Sequence, residues 1–287
     1  MTRGQDRLLS VADHDRDRAG MTYVYPVVSR RAGGVSVGVN LNPNNACNWR
    51  CIYCQVPDLQ RGGPPPLDLD RLEEELRAML TDVVHGDFMV RAVPEGMRRL
   101  NDVAISGNGE PTSAREFPRV VERIGRILED FGLAGGIKLI LISNGSLAGR
   151  AHVSAGLAAM AGLNGEVWFK LDRATRAGIA QVNGTATDPA AHFRRLATVA
   201  GLCPTWVQTC MFSLDGSPPA PAEIDAYLSL LRRGRAEIPA LRGVLLYGLA
   251  RPSLQAEAAR LDPLPESWLR GLAARIEALG LPVRLSV

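Results

Sequence analysis

The chain has 287 residues, is 46% hydrophobic and carries a formal net charge of +3. A chain of that size can bury one substantial core, and it contains no apolar run of the roughly 18 residues that a bilayer span requires. The opening stretch Met1–Gly20 is charged and lacks the apolar centre of a secretory signal. So small a net charge does not by itself argue for a nucleic-acid partner. The expectation is a cytoplasmic protein with no membrane partner.

Residues 1–34 read as an N-terminal extension and residues 35–287 as a single domain. An apolar stretch at Val35–Leu41 predicts the first strand and runs into Asn42-Pro43-Asn44-Asn45. Leu69, Leu72, Leu76, Met79, Leu80 and Val83 then recur at helical spacing, with Asp68 or Asp70 as the cap. A long connection over 85–101, with a short helix at Pro94–Leu100, leads to a strand at Asp102–Ser106. Ser113 and Glu116 have capping-box spacing ahead of an apolar helical stripe that Gly132 stops. Four more strands follow at Lys138–Ser143, Glu166–Leu171, Trp206–Leu214 and Arg242–Tyr247, alternating with helical segments near 150–161, after Asp188-Pro189, and over 222–233. A last helix lined by Trp268, Leu272, Ile276 and Leu279 precedes a seventh strand at Val283–Val287.

Such alternation predicts parallel strands with right-handed crossovers, curled into a partial (β/α)6 barrel with a C-terminal seventh strand. Sites on such sheets lie at the carboxyl ends of the strands. The motifs below all fall there.

Cys47, Cys51 and Cys54 form C-x3-C-x2-C directly after the first strand. Thiolates bind iron strongly, and three on one loop can each take one corner of a [4Fe–4S] cluster. The fourth iron is then open to an outside chelator. S-adenosylmethionine (SAM) suits that position through its methionyl amine and carboxylate. A structural zinc site is the alternative, but it needs four protein ligands, and His14, His85, His152 and His192 are scattered along the chain. Cys203 and Cys210 read as ordinary buried thiols.

This spacing, with Tyr53 just before the third cysteine, resembles the radical SAM superfamily over residues 35–287. The resemblance implies one [4Fe–4S] cluster, SAM as cosubstrate and a one-electron reductant such as flavodoxin or ferredoxin. It assigns Tyr53 to the adenine region. Gly107, Asn108, Gly109 and Glu110 stand where the family has its glycine-rich motif, with exposed backbone and an acid for the methionyl amine. Ser143 and Asn144 resemble the Asn-Gly end of a family strand. Lys170 and Asp172, two apart on one strand, share a face and are assigned to SAM or catalysis. Gln208, with Thr209 beside it, is expected to line the same cavity; Leu246 and Tyr247 are expected near the adenine. Arg251 is expected to hold a substrate anion.

Ser106–Thr112, Lys170-Leu171-Asp172 and Ala250-Arg251-Pro252 together resemble the branch that contains the 4-demethylwyosine synthases. A second cysteine set and a lysine ahead of the triad are missing from this sequence, so a different reaction is expected. The expected activity is reductive SAM cleavage to a 5′-deoxyadenosyl radical that takes hydrogen from a substrate. A tRNA nucleoside is preferred over a small metabolite or a peptide. An iron–sulfur electron carrier or redox sensor is the alternative from another class.

Overall fold

In the computed structural model, residues 8–10, 19–29 and 33–287 are described. One eight-stranded sheet organises them, and its strands follow one another in chain order. They are β1 (Val24–Ser29), β2 (Gly34–Val39), β3 (Leu100–Ile105), β4 (Lys138–Ser143), β5 (Gly165–Lys170), β6 (Thr205–Met211), β7 (Leu241–Gly248) and β8 (Val283–Ser286). Every neighbouring pair is parallel except β1 and β2, which form an antiparallel hairpin. The sheet curls into a half-barrel, as the alternation predicts.

Six helices cover the convex side, α1 (Leu69–Val84), α2 (Phe117–Asp130), α3 (Ala151–Gly162), α5 (Pro189–Ala200), α6 (Pro221–Glu237) and α7 (Glu266–Glu277), while α4 (Arg176–Asn183) packs through Val182 on Ile52, Tyr53, Cys210 and Phe212 beside the cysteine loop. Strands β1 to β7 are largely buried on both faces, which is why most of them read as nearly continuous apolar runs, whereas β8 at the far edge is only partly covered. In β4, Leu139 and Leu141 join the core beneath the helices, while Ile140 and Ile142 belong to a second cluster with Trp168, Trp206 and Leu245 inside the curl. Period-two alternation thus separates a helix-facing core from a lumen.

Several expectations need correction. The boundary drawn at residue 34 falls inside the β1–β2 hairpin. Pro26 fits in β1 because this strand is the sheet edge, where a missing N–H is tolerated. Residues 1–7, 11–18 and 30–32 of the expected extension, His14 among them, lie outside the described residues. The Ser113/Glu116 capping box does not form: Pro111–Ser113 is a 3-10 turn, and Glu116 caps α2 without a side-chain hydrogen bond. The long connection holds a short helix at Phe88–Ala92 and a 3-10 turn at Glu95–Met97. Asp68 and Asp188 do cap α1 and α5, accepting from Arg71 N and Ala191 N. No helix among the described residues is long and apolar enough to cross a membrane.

Candidate active site

A cavity of about 280 Å³ opens at the carboxyl ends of the strands, and Cys47, Cys51 and Cys54 all line it. Their loop leaves β2 through an asparagine network. Asn40 Oδ1 accepts from the backbone N–H groups of Asn42 and Asn108, both at 3.0 Å. Asn42 Nδ2 donates to the carbonyl of Ala46 at 2.9 Å, and Asn108 Nδ2 to Asn45 Oδ1 at 2.6 Å. The turn after β3 is therefore pressed onto the cysteine loop, and glycine makes that approach possible. A Cβ on Gly109 would lie 2.1 Å from the Ala46 carbonyl oxygen, and one on Gly107, whose φ is +147°, would lie 2.3 Å from Asn40 Oδ1. Asn108, which interrupts the glycines, is one of the fasteners.

Glu110 is buried at 2% exposure, and its oxygens are largely occupied. Oε1 accepts from Thr112 N at 3.2 Å, the Thr112 hydroxyl at 2.5 Å and the Ser143 hydroxyl at 2.7 Å; Oε2 accepts from Asn144 N at 2.7 Å. Burial pushes the carboxyl pKa up, and these four hydrogen bonds oppose the rise. Glu110 thus ties the end of β3 to the end of β4, and both Glu110 and Asn144 line the cavity; Oε2 is the less occupied of its two oxygens. Ser143 lies behind that wall, donating to Glu110 and accepting from Gly145 N, so its place is that of a brace. Asn144 reaches back to the cysteine loop, its Nδ2 donating to Asn48 Oδ1 at 2.9 Å.

Lys170 extends from β5 into the cavity with its Nζ 4.9 Å from the centre of the Tyr53 ring. Burial disfavours its ammonium, but Tyr247, Asp172, Cys51 and Cys210 together outweigh burial and hold the pKa above the usual lysine range. Asp172 lies beneath Tyr53 and not at the cavity wall. It accepts from the Tyr53 hydroxyl at 2.6 Å, Asn183 Nδ2 at 2.8 Å and Cys210 N at 2.9 Å. Sequence spacing placed Lys170 and Asp172 on one face, and the structure separates their jobs: Lys170 faces the cavity, and Asp172 fixes the aromatic over which Lys170 lies.

Gln208 enters the lumen from β6 at 2% exposure, and its Oε1 has no hydrogen-bond partner among the described residues. A buried acceptor left open at a cavity is one that a bound molecule can satisfy. Thr209 points the other way, to the Leu171 carbonyl and the Tyr227 hydroxyl. Tyr247 lines the cavity, whereas Leu246 is fully buried in the helix-facing core. That is the one-residue alternation of a strand, and it removes the Leu246 side chain from the site. Arg251 is at the rim, where its Nη1 donates to Gln55 Oε1 at 3.0 Å, so the cysteine loop holds it.

The donor set fits an iron–sulfur cluster. Cys47 Sγ accepts from Trp49 N at 3.4 Å and Cys51 Sγ from Asn183 Nδ2 at 3.3 Å, contacts that stabilise thiolates. Among the described residues no three His, Cys, Asp or Glu side chains converge tightly enough to hold one metal ion. Burial pushes the thiol of Cys47 up to about 11 and that of Cys51 up to about 12. These thiols are protonated in the metal-free chain, and ligation releases their protons.

Sequence reasoning missed the wall built by β1 to β3. Tyr25, Ser36, Asp102 and Ser106 line the cavity there, with the Tyr25 hydroxyl 3.0 Å from Ser106 Oγ and Ser36 donating to Asp102. It also missed α4, whose last residue touches Cys51. The signal for β1 was the alternation Tyr25, Val27, Ser29, three residues that line the cavity.

A family model described as Radical SAM superfamily matches residues 41–156, from the end of β2 through the cysteine loop, Glu110 and Asn144. The fold resembles a radical SAM methyltransferase from Sphaerobacter thermophilus, with a TM-score of 0.57 at 13% identity over 88% of this chain and 66% of that one. It also resembles Streptococcus suis SuiB bound to S-adenosylmethionine, with a TM-score of 0.51 at 9% identity over 86% of this chain and 45% of that one. At such identities the likeness is one of fold. A stretch of 125 residues is 26% identical to a protein named GTPase Obg from Brachyspira hyodysenteriae, covering 42% of this chain and 15% of that protein. The chain therefore spans only a small part of that relative and between about half and two thirds of the solved structures.

Proposed function

We propose that this radical SAM enzyme holds one [4Fe–4S] cluster on Cys47, Cys51 and Cys54 and binds SAM in the adjoining cavity. The observation that carries this reading is the convergence of three thiols on a cavity whose walls also present Glu110, Asn144, Lys170 and Gln208. The cluster, reduced by a flavodoxin- or ferredoxin-like donor, would supply the electron that cleaves SAM to methionine and a 5′-deoxyadenosyl radical. Glu110 Oε2 and the backbone exposed at Gly107–Gly109 are positioned to receive the methionyl amine. Lys170 supplies a cation for the carboxylate or ribose hydroxyls, and Gln208 Oε1 an acceptor. Tyr53, held by Asp172, gives the flat apolar face near the adenine region. Arg251 and Gln55 close the rim. The buried lumen would keep water from the radical, and the wall of Tyr25, Ser36, Asp102 and Ser106 would face the substrate that yields the hydrogen.

A nucleoside of tRNA is the substrate we favour, in a branch resembling the 4-demethylwyosine synthases. Tyr25, Trp168 and Tyr247 around the cavity suit a planar base. Anaerobic protein with reconstituted iron and sulfide, given dithionite and SAM, is expected to release 5′-deoxyadenosine and methionine. A loaded cluster that leaves SAM intact would instead support the electron-carrier reading. Salt-dependent retention of tRNA over a small-metabolite panel tests the substrate class.

A further inference from the structure

We infer that Asn183, the last residue of α4, tunes the reduction potential of the cluster by donating a hydrogen bond to the sulfur of Cys51. The inference rests on the reading that the cysteine triad carries a cluster.

Asn183 is 1% exposed, and its Nδ2 lies 2.8 Å from Asp172 Oδ2 and 3.3 Å from Cys51 Sγ. A primary amide has two N–H groups, and here each has one acceptor. Turning the amide over would set its oxygen against a carboxylate and a ligating thiolate, so its orientation is determined by its neighbours. Asp172 cannot yield easily, because Tyr53 and Cys210 N hold the same carboxylate.

The main chain makes the same grip. Asn183 O accepts from Arg50 N at 3.1 Å, and Val182 O accepts from Ile52 N at 2.9 Å. The last carbonyls of a helix lack partners within it, and at α4 the cysteine loop supplies two. The residues on either side of Cys51 are thus bound to the helix end whose final side chain donates to the Cys51 sulfur. Gly184, with φ of +59°, ends the helix against Arg50, where a Cβ would lie 2.7 Å from the Arg50 carbonyl oxygen. An N–H directed at a ligating sulfur draws charge from it and favours the reduced, more negative cluster.

The test compares wild type with Asn183→Leu and Asn183→Ser, each reconstituted anaerobically, assayed for iron and sulfide and titrated electrochemically by EPR without SAM. Loss of the bond is expected to shift the one-electron reduction equilibrium roughly tenfold toward the oxidised cluster, about 59 mV. Pulsed EPR after exchange into D2O is expected to show an exchangeable deuteron that is coupled to the reduced wild-type cluster and lost in Asn183→Leu. The deuteron of the Trp49 N–H, which faces Cys47, remains in every variant as an internal control. Full clusters with wild-type potentials in both variants overturn the inference alone, as does a wild type whose only coupled deuteron is that of Trp49. A wild type that takes up no cluster sinks the triad reading, and the inference with it.

Discussion

Replacing Glu110 with glutamine tests whether this carboxylate is first a brace. The two backbone donors, Thr112 N at Oε1 and Asn144 N at Oε2, approach opposite oxygens and cannot rotate away. A glutamine side chain must therefore turn its own NH2 toward one of them, whichever way it is placed. The hydroxyls of Thr112 and Ser143 can turn to accept, but the backbone N–H groups cannot. One buried donor left facing another costs about 1–3 kcal/mol, and the bonds weakened by loss of the charge add to that. At about 2 °C per kcal/mol for a chain of this size, the melting temperature is expected to fall by roughly 2–6 °C. The assay is calorimetry on protein without cluster or SAM, where a role in SAM binding contributes nothing. An unchanged melting temperature in that state refutes the bracing argument and leaves Glu110 as a SAM ligand only.

Cys51→Ala is expected to retain the fold and bind markedly less iron than wild type, whereas Cys203→Ala, in the helix-facing core, retains full iron; iron and sulfide analysis separates them. Gly109→Ala forces a methyl group to within 2.1 Å of the Ala46 carbonyl unless the turn retreats, so a loss of about 1–3 kcal/mol is expected together with slower cluster loading. His192 is buried, donates through Nε2 to the Lys170 carbonyl at 2.9 Å and has no partner for Nδ1 among the described residues. Burial holds its pKa down at about 4, against about 6.5 when exposed. The unfolded chain therefore binds this proton more readily, and as pH falls from 6.5 to 4 up to about 3 kcal/mol of stability is lost. His192→Gln, which keeps a donor and does not titrate, is expected to flatten that part of the stability profile in urea titrations across pH.

The strand ends that carry chemistry were legible because β2 to β7 are largely buried on both faces and β2, β3, β4 and β7 run into asparagine or glycine. Cys47, Gly107, Asn144 and Lys170 could be assigned to one rim on that basis alone. What could not be read is which of two adjacent residues turns inward: Tyr247 and Leu246 differ by one step of the pleat, as do Gln208 and Thr209. The edge strand β1 was hidden by Pro26, and α4 by its brevity and by Gly178 in its interior. Its hold on the cysteine loop is tertiary, made by Arg50 and Ile52 donating to its end. Asp172 was found by its spacing from Lys170, but its role depends on Tyr53 and Asn183, distant in sequence and joined only by the fold.

The central claim is that three cysteines leave one iron for the methionyl end of SAM. Electron-nuclear double resonance on the reduced protein, mixed with SAM carrying 15N in its amino group, tests it directly. The account predicts a 15N coupling to the cluster that disappears with unlabelled SAM; a reduced cluster that saturating labelled SAM leaves without any such coupling contradicts it.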